Sequence, residues 1–268
     1  MGQRTQYAPG VFNWVELSTT NPDAAKVFYG KVLGWKAEDE PVPDEYGGGV
    51  YTALRLDDAV VASLQDQPPP QREAGVPPHW LSCVAVANAD ATAAKAVELG
   101  GMVHTTYDVM TKARMAIIVD PTGAYFGAWQ AGDLAGAERV NDPGCLTSNE
   151  LSTDDVDRAA AFYTDLFGWR IEEIDTHGGP RYWGIHHEGA ASSLNGGMRQ
   201  LSAGQKGLPP YWMPYFTVAN VDYAVATATD GGGKVLMKPV ELPTGSKIAV
   251  LSDPQGATFA IFEGRVDD

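Results

Sequence analysis

The stretch Glu16-Leu17-Ser18-Thr19-Thr20, followed by Phe28-Tyr29 and Leu33-Gly34-Trp35, returns as Glu150-Leu151-Ser152-Thr153-Asp154, Phe162-Tyr163 and Phe167-Gly168-Trp169, each 134 residues later. Further along, Val86-Ala87-Asn88 matches Val218-Ala219-Asn220, and Asp120-Pro121-Thr122-Gly123-Ala124 matches Asp253-Pro254-Gln255-Gly256-Ala257. Chance does not keep such landmarks in order at an offset that drifts by only a residue or two, so the chain reads as a tandem repeat. The expected domains are 8–132 and 143–265, joined through the Gly/Asp/Pro-containing stretch between Gln130 and Gly144.

Within one copy, Phe12 to Ser18 is an apolar-rich run of strand length. Asn21 and Pro22 then offer a helix cap and a first helical residue. Ala24, Ala25, Val27, Phe28 and Val32 form a helical stripe that Gly34 stops. In the second copy Thr153 or Asp154 is the expected cap, and Val156, Ala160, Phe162, Tyr163 and Leu166 form the stripe. Strands are expected at Trp35–Glu38, Gly49–Leu56 and Ala59–Leu64. The pattern restarts with a strand at His79–Val86, an Ala-rich helix at Asp90–Leu99, and strands at Met102–Tyr107, Ala113–Val119 and Ala124–Gln130. Asp120-Pro121-Thr122-Gly123 suits the turn between the last two. Each copy is therefore βαβββ written twice, an α+β architecture whose curled sheet leaves a concave face for a ligand.

The composition fits packed cores, with 44% hydrophobic residues. A net charge of −15 repels phosphate backbones and anionic membranes, which argues against nucleic-acid and membrane partners. Two cysteines, Cys83 and Cys145, make no CxxC and no disulfide framework. No apolar run approaches the roughly 20 residues of a transmembrane helix, and no secretory or myristoylation signal is visible at the N-terminus, so a cytoplasmic location is expected.

These landmarks together resemble the vicinal oxygen chelate superfamily, which includes glyoxalase I, extradiol dioxygenases, fosfomycin-modifying enzymes and bleomycin resistance proteins. The resemblance runs from about Val11 to Glu263 and implies two tandem domains, each a pair of βαβββ units around a pocket. Asn13-Trp14-Val15-Glu16-Leu17, Gly47-Gly48-Gly49-Val50-Tyr51 and Leu251-Ser252-Asp253-Pro254 are similar to a two-domain actinobacterial subgroup. That subgroup contains the mycobacterial culture-filtrate antigen and resembles glyoxalase-like accessory proteins of aromatic polyketide pathways.

The resemblance also implies a metal site with one ligand from the first strand of each half-domain and one from the last. Those positions fall on Trp14 and Ser148, near Leu81 and Met213, and on Gly127 and Ala260. The strand ends at Leu64-Gln65 and Gly197-Met198 supply no His or carboxylate. A shift of one residue would bring in Asn13, Val15, His79 or Trp80, and at most one imidazole per domain. Divalent ions need imidazole or carboxylate donors, usually three or more, so no family-type metal is expected and a displaced site is the alternative.

Strand alternation places Trp14, Glu16 and Ser18 on one face, and Tyr125, Gly127 and Trp129 on another strand's inner face. A first pocket of Trp14, Glu16, Tyr125 and Trp129 follows, with Tyr51 and His79 at its rim. Gly127 would leave room for a flat ligand against two indoles. The second pocket would hold Ser148, Glu150, Met198, Tyr211, Met213 and Phe262, with Trp183 and His186 on a neighbouring strand. His186 and His187 must point to opposite faces. His104 and His177 fall near turns and read as surface residues. Trp14 is equally readable as plain core; Trp35, Trp80, Trp169 and Trp212 recur and read as packing. Glu16 and Glu150 also recur, which suits a task of the unit itself, such as bonding backbone amides. If buried, either becomes a candidate general base.

Residues alike in both copies maintain the fold, whereas pairs such as Trp14/Ser148, His79/Tyr211 and Trp129/Phe262 are free to specialise. The Trp-rich first pocket is the favoured site. The expected function is metal-free binding of a planar aromatic small molecule by a monomer or homodimer. The alternatives are an enzyme using a displaced metal site or Glu16/Glu150 acid–base chemistry, and a protein-interaction role.

Overall fold

The structure is a computed structural model that describes residues 2–176, 178–189, 194–205 and 207–265; His177 lies outside the described residues. The first half contains β1 (Phe12–Thr19), α1 (Pro22–Leu33), β2 (Lys36–Pro41), β3 (Val50–Leu56) and β4 (Ala59–Asp66). A short α2 (Pro69–Glu73) leads to β5 (His79–Ala85), α3 (Ala89–Glu98), β6 (Met102–Val109), β7 (Ala113–Val119) and β8 (Tyr125–Ala131). The second half repeats the order with β9 (Leu146–Thr153), α4 (Val156–Phe167), β10 (Arg170–Ile174), β11 (Tyr182–His186) and β12 (Gly196–Gln200). It ends with β13 (Tyr211–Thr217), α5 (Val221–Asp230), β14 (Lys234–Glu241), β15 (Lys247–Ser252) and β16 (Thr258–Glu263).

Each half is an 8-stranded sheet, ordered β2-β3-β4-β1-β5-β8-β7-β6 and β10-β11-β12-β9-β13-β16-β15-β14. The two βαβββ units of a half meet through the antiparallel pairs β1–β5 and β9–β13. The expected strands and helices are present, with ends moved by a few residues.

The local chemistry explains the helices. Asn21 accepts a hydrogen bond from the Ala24 amide at 3.1 Å, Pro22 opens α1, and Gly34 closes it at φ 78°. In the second half the cap is Asp155, which accepts from the Arg158 amide at 3.0 Å. Thr153, one of the two expected caps, instead accepts from the Asp155 amide, and so orients the true cap.

The helix-bearing faces of the two sheets form shared cores. One core joins β1, α1 and β4 to β13, α5, β15 and β16; the other joins α3, β7 and β8 to α4, β12 and β13. The recurring aromatics fasten this seam. Tyr29 accepts from the Trp80 indole at 3.0 Å and donates to Asp253 at 3.1 Å. Tyr163 does the same with Trp212 at 2.8 Å and Asp120 at 2.9 Å. The other oxygen of Asp253 accepts the amides of Gln255, Gly256 and Ala257, so the DPxG turn of one half is tied to the helix of the other. Trp35 and Trp169 donate across the seam to the carbonyls of Gly144 and Gly10. Among the described residues no helix is long and apolar enough to cross a membrane.

Candidate functional site

In the first sheet, the face away from the helices carries Trp14, Glu16 and Ser18 of β1, as alternation requires. Its deep end is filled. Trp14 is 0% exposed and Trp129 1%, and their rings lie 5.6 Å apart. Both indole N–H groups are satisfied, Trp14 by Ser63 Oγ and Trp129 by the Leu134 carbonyl. The space expected beside Gly127 is also taken: a Cβ there would meet Cys83 Sγ at 2.5 Å. The two indoles are core, not a ligand platform, which corrects the preference for the first pocket. Tyr51 joins the same buried cluster.

Above this plug sits Glu16, 5% exposed. It accepts from Gln65 Nε2 at 2.8 Å and from Ser63 Oγ at 3.1 Å. Burial pushes its carboxyl up to about 7, against the smaller opposing effect of the Ser63 hydroxyl. Its partners are side chains, not the backbone amides suggested by its recurrence.

The second sheet places Glu150 at the equivalent position but surrounds it differently. Arg199 Nε donates to it at 2.8 Å and the Tyr215 hydroxyl at 3.0 Å; the Tyr182 hydroxyl is a third donor. Burial raises its carboxyl and the Arg199 guanidinium pulls it back. Gly197 permits this arrangement, because a methyl there would overlap the Tyr182 hydroxyl and ring. Where the first half has Trp14 and Trp129, this half has Ser148 and Phe262, and the concavity is open.

A cleft of 1900 Å³ occupies this concavity and extends to the mouth of the first. Of the candidate residues, Glu16, His79, Tyr125, Ser148, Glu150 and Tyr211 line it, as do Met213 and Phe262. Six do not. Trp14, Tyr51 and Trp129 are packed in the plug. Met198 and Trp183 pack against the helix-side core, because on β12 and β11 the inward parity belongs to Gly197, Arg199, Tyr182 and Gly184. His186 shares the parity of Tyr182 but lies near the sheet edge, 3.9 Å from Glu172. His104 is exposed and touches Tyr125 at the rim.

The residues at the superfamily's metal positions do not fit a divalent ion. The bulge between Phe12 and Trp14 sets Trp14 opposite Cys83, and Cys83 pairs with Gly127. In the second half Ser148 pairs with Tyr215 and Tyr215 with Ala260. Leu81 and Met213, the expected middle-strand positions, stand opposite Glu16 and Glu150 instead. An indole, a glycine, an alanine and a serine are poor donors, and the lone Cys83 thiol is pushed well up by burial. Among the described residues no three His, Cys, Asp or Glu side chains come together to hold a metal.

Sequence reasoning missed Arg199, Tyr182 and Tyr215, which build the floor with Glu150. It also missed the rim, where Gly75-Val76-Pro77-Pro78-His79-Trp80 returns as Gly207-Leu208-Pro209-Pro210-Tyr211-Trp212. That repeat was a usable signal, as was the alternation of Tyr182, Gly184 and His186.

The sequence model of the Glyoxalase/Bleomycin resistance protein/Dioxygenase superfamily matches residues 11–127 and 146–261. The protein CFP32 of Mycobacterium tuberculosis, a glyoxylase by provisional name, is 39% identical over 264 residues, 98% of each chain. The anthracycline biosynthesis protein DauV of a Streptomyces species is 34% identical over 273 residues, 97% of this chain and 96% of that one. Among solved structures, a Mn(II)-bound glyoxalase from Novosphingobium aromaticivorans superposes with a TM-score of 0.65 at 15% identity, covering 97% of this chain and 85% of that one. The 2,2',3-trihydroxybiphenyl 1,2-dioxygenase of Sphingomonas wittichii superposes with a TM-score of 0.66 at 15% identity, covering 97% and 92%.

Proposed function

The chain belongs to the glyoxalase/bleomycin resistance/dioxygenase superfamily, and on that premise we propose that it binds a planar aromatic small molecule in the second domain, without a metal at the superfamily positions. The open second concavity carries this reading. Tyr211, Met213, Phe262, Ile248 and Val250 supply apolar and aromatic walls, and the Glu150–Arg199 pair gives the floor one polar anchor. A few fixed polar groups in an otherwise apolar cleft suit recognition of a ring system bearing an oxygen. The relatives named for anthracycline biosynthesis support the same class of ligand and a role in secondary metabolism.

Glu150 acts here by holding Arg199, Tyr182 and Tyr215 in place; it already accepts from all three. The test is isothermal titration with a panel of anthraquinones. Ser148→Trp, which places the first half's plug in the second, is expected to abolish binding with the fold intact. Binding of no panel member, or unchanged binding by Ser148→Trp, defeats the proposal.

One observation favours a second reading, acid–base catalysis by Glu16. This carboxyl lines the cleft and titrates near neutrality. Incubation with each bound compound, followed by mass and chromatographic analysis, should then show conversion that Glu16→Gln stops. No conversion of any bound compound leaves binding alone.

A further inference from the structure

The cleft has two chemically different ends. The second-domain end is broad, with apolar and aromatic walls and with Arg181, Arg199 and Arg265 among its lining. At the first-domain end, Glu16, Ser18, Gln65, Gln71 and His79 line it, and no Lys or Arg of that domain does. The volume, 1900 Å³, is larger than the roughly 300–1000 Å³ usual for one small-molecule pocket.

The polar end is organised. Gln65 is held by Glu16, and Ser18 Oγ donates to Gln71 Oε1 at 3.3 Å. His79 Nδ1 lies 2.9 Å from the Pro77 carbonyl, which can only accept, so Nδ1 donates there and Nε2 is left for a ligand. The Gln71 amide N–H groups, the Gln65 carbonyl and His79 Nε2 thus supply donors and acceptors at one mouth. Such a mixed array, free of Lys and Arg, matches hydroxyl groups, which donate and accept at once. An anion would meet a chain of net charge −15 with no Lys or Arg of the first domain in its favour.

We propose that the cleft takes a two-part ligand: a planar apolar body in the second domain and an uncharged, polyhydroxylated appendage, of the glycoside kind, seated on Gln65, Gln71 and His79 of the first. The proposal rests on the second-domain reading above, and names the ligand class of the same cleft more closely. The first domain, with its deep end plugged by Trp14 and Trp129, then acts as a specificity rim.

The test compares three probes by isothermal titration: an anthraquinone, its O-glucoside and its sulfonate. The glucoside is expected to bind roughly tenfold tighter than the parent, the worth of one or two net hydrogen bonds, and the sulfonate more weakly than the parent. Gln71→Leu, on the surface helix α2, and Gln65→Leu should each erase part of the glucoside's gain and leave the parent's affinity unchanged. A glucoside that binds no better than the parent overturns the proposal while leaving the aromatic site standing. A gain that survives both substitutions, or a sulfonate that binds best, also overturns it. If the parent does not bind at all, the second-domain reading fails and this one with it.

Discussion

Trp14→Ser is the sharpest perturbation, because it gives the first half the residue that the second half already carries at Ser148. Trp14 is fully buried, packs 5.6 Å from the Trp129 ring, and donates its indole N–H to Ser63. Truncating a buried Trp costs about 3–5 kcal/mol through lost transfer energy and the void left behind. Loss of the aromatic pair adds about 0.5–1.5 kcal/mol. A total near 4–5 kcal/mol is a large part of the roughly 5–15 kcal/mol that holds a domain together. The midpoint of thermal unfolding should fall by roughly 8–20 °C, at about 2–4 °C per kcal/mol for a chain of this size. The void falls among Leu81, Cys83, Met115 and Trp129, with Ser63 Oγ left where the indole N–H had bonded, so it should accept indole. Added indole should then restore part of the lost stability in a concentration-dependent way. Calorimetry and urea titration with and without indole measure both effects. A loss below about 1 kcal/mol, or no response to indole, would show that the indole does not plug the concavity.

Three further outcomes follow from the same geometry. Glu16 holds its proton more tightly folded than unfolded, between the ordinary 4.5 and about 7. Its contribution to stability is therefore full below pH 4.5 and is lost as pH rises through 7, a loss of roughly 3 kcal/mol. Glu16→Gln should flatten that part of the stability–pH curve and leave the variant relatively more stable at pH 8; a wild-type difference curve without slope between pH 5 and 7 contradicts the burial argument. Tyr29→Phe strands the Trp80 indole and one Asp253 oxygen at the seam, at a cost of about 2–3 kcal/mol. Tyr163→Phe should cost the same, and equality of the two in denaturant titrations tests the pseudo-symmetry of the fastening. Gly197→Ala should displace Tyr182 from Glu150 and weaken aromatic binding; unchanged affinity would remove Tyr182 from the floor.

The repeat, the strand positions and the inward parity of Trp14, Glu16 and Ser18 were legible because each depends on local periodicity. What alternation could not say is whether an inward side chain lines a space or fills it. That depends on the residue facing it, and the Trp14–Trp129 contact joins positions 115 residues apart in the chain. The misplacement of Trp183 and Met198 has a different cause. The strands β11 and β12 are only five residues long each and are broken by glycines at 184, 196 and 197. Gly184 and Gly197 occupy inward positions, so the hydrophobic alternation that fixes parity elsewhere is blank there, and the size of Trp183 and Met198 points to the wrong face. Arg199 answers to no metal-ligand pattern, since a guanidinium cannot hold a cation; only its 2.8 Å bond to Glu150 reveals its role.

The contrast between the halves can be taken one step further. The pairs alike in both copies, Tyr29/Tyr163, Trp80/Trp212 and Asp120/Asp253, all sit at the seam, where each half must present the same groups to the other. The pairs that differ, Trp14/Ser148, Cys83/Tyr215 and Trp129/Phe262, all sit on the opposite face, where no symmetry binds them. Glu16 and Glu150, like Ser18 and Ser152, are identical residues on the face free to diverge. Their neighbours diverged instead: Gln65 became Arg199 and Ser63 became Gly197, which admits Tyr182. A buried carboxylate needs either a proton or a partner cation. The first half, with Gln65, satisfies Glu16 by letting it keep a proton up to about pH 7. The second satisfies Glu150 with Arg199 and two tyrosines. One inherited carboxyl therefore serves as a neutral hydrogen-bonding group at one end of the cleft and as the hub of an ion pair at the other, so Gln65→Arg alone should lower the Glu16 carboxyl towards the usual range and remove the slope between pH 5 and 7 that Glu16→Gln removes by another route.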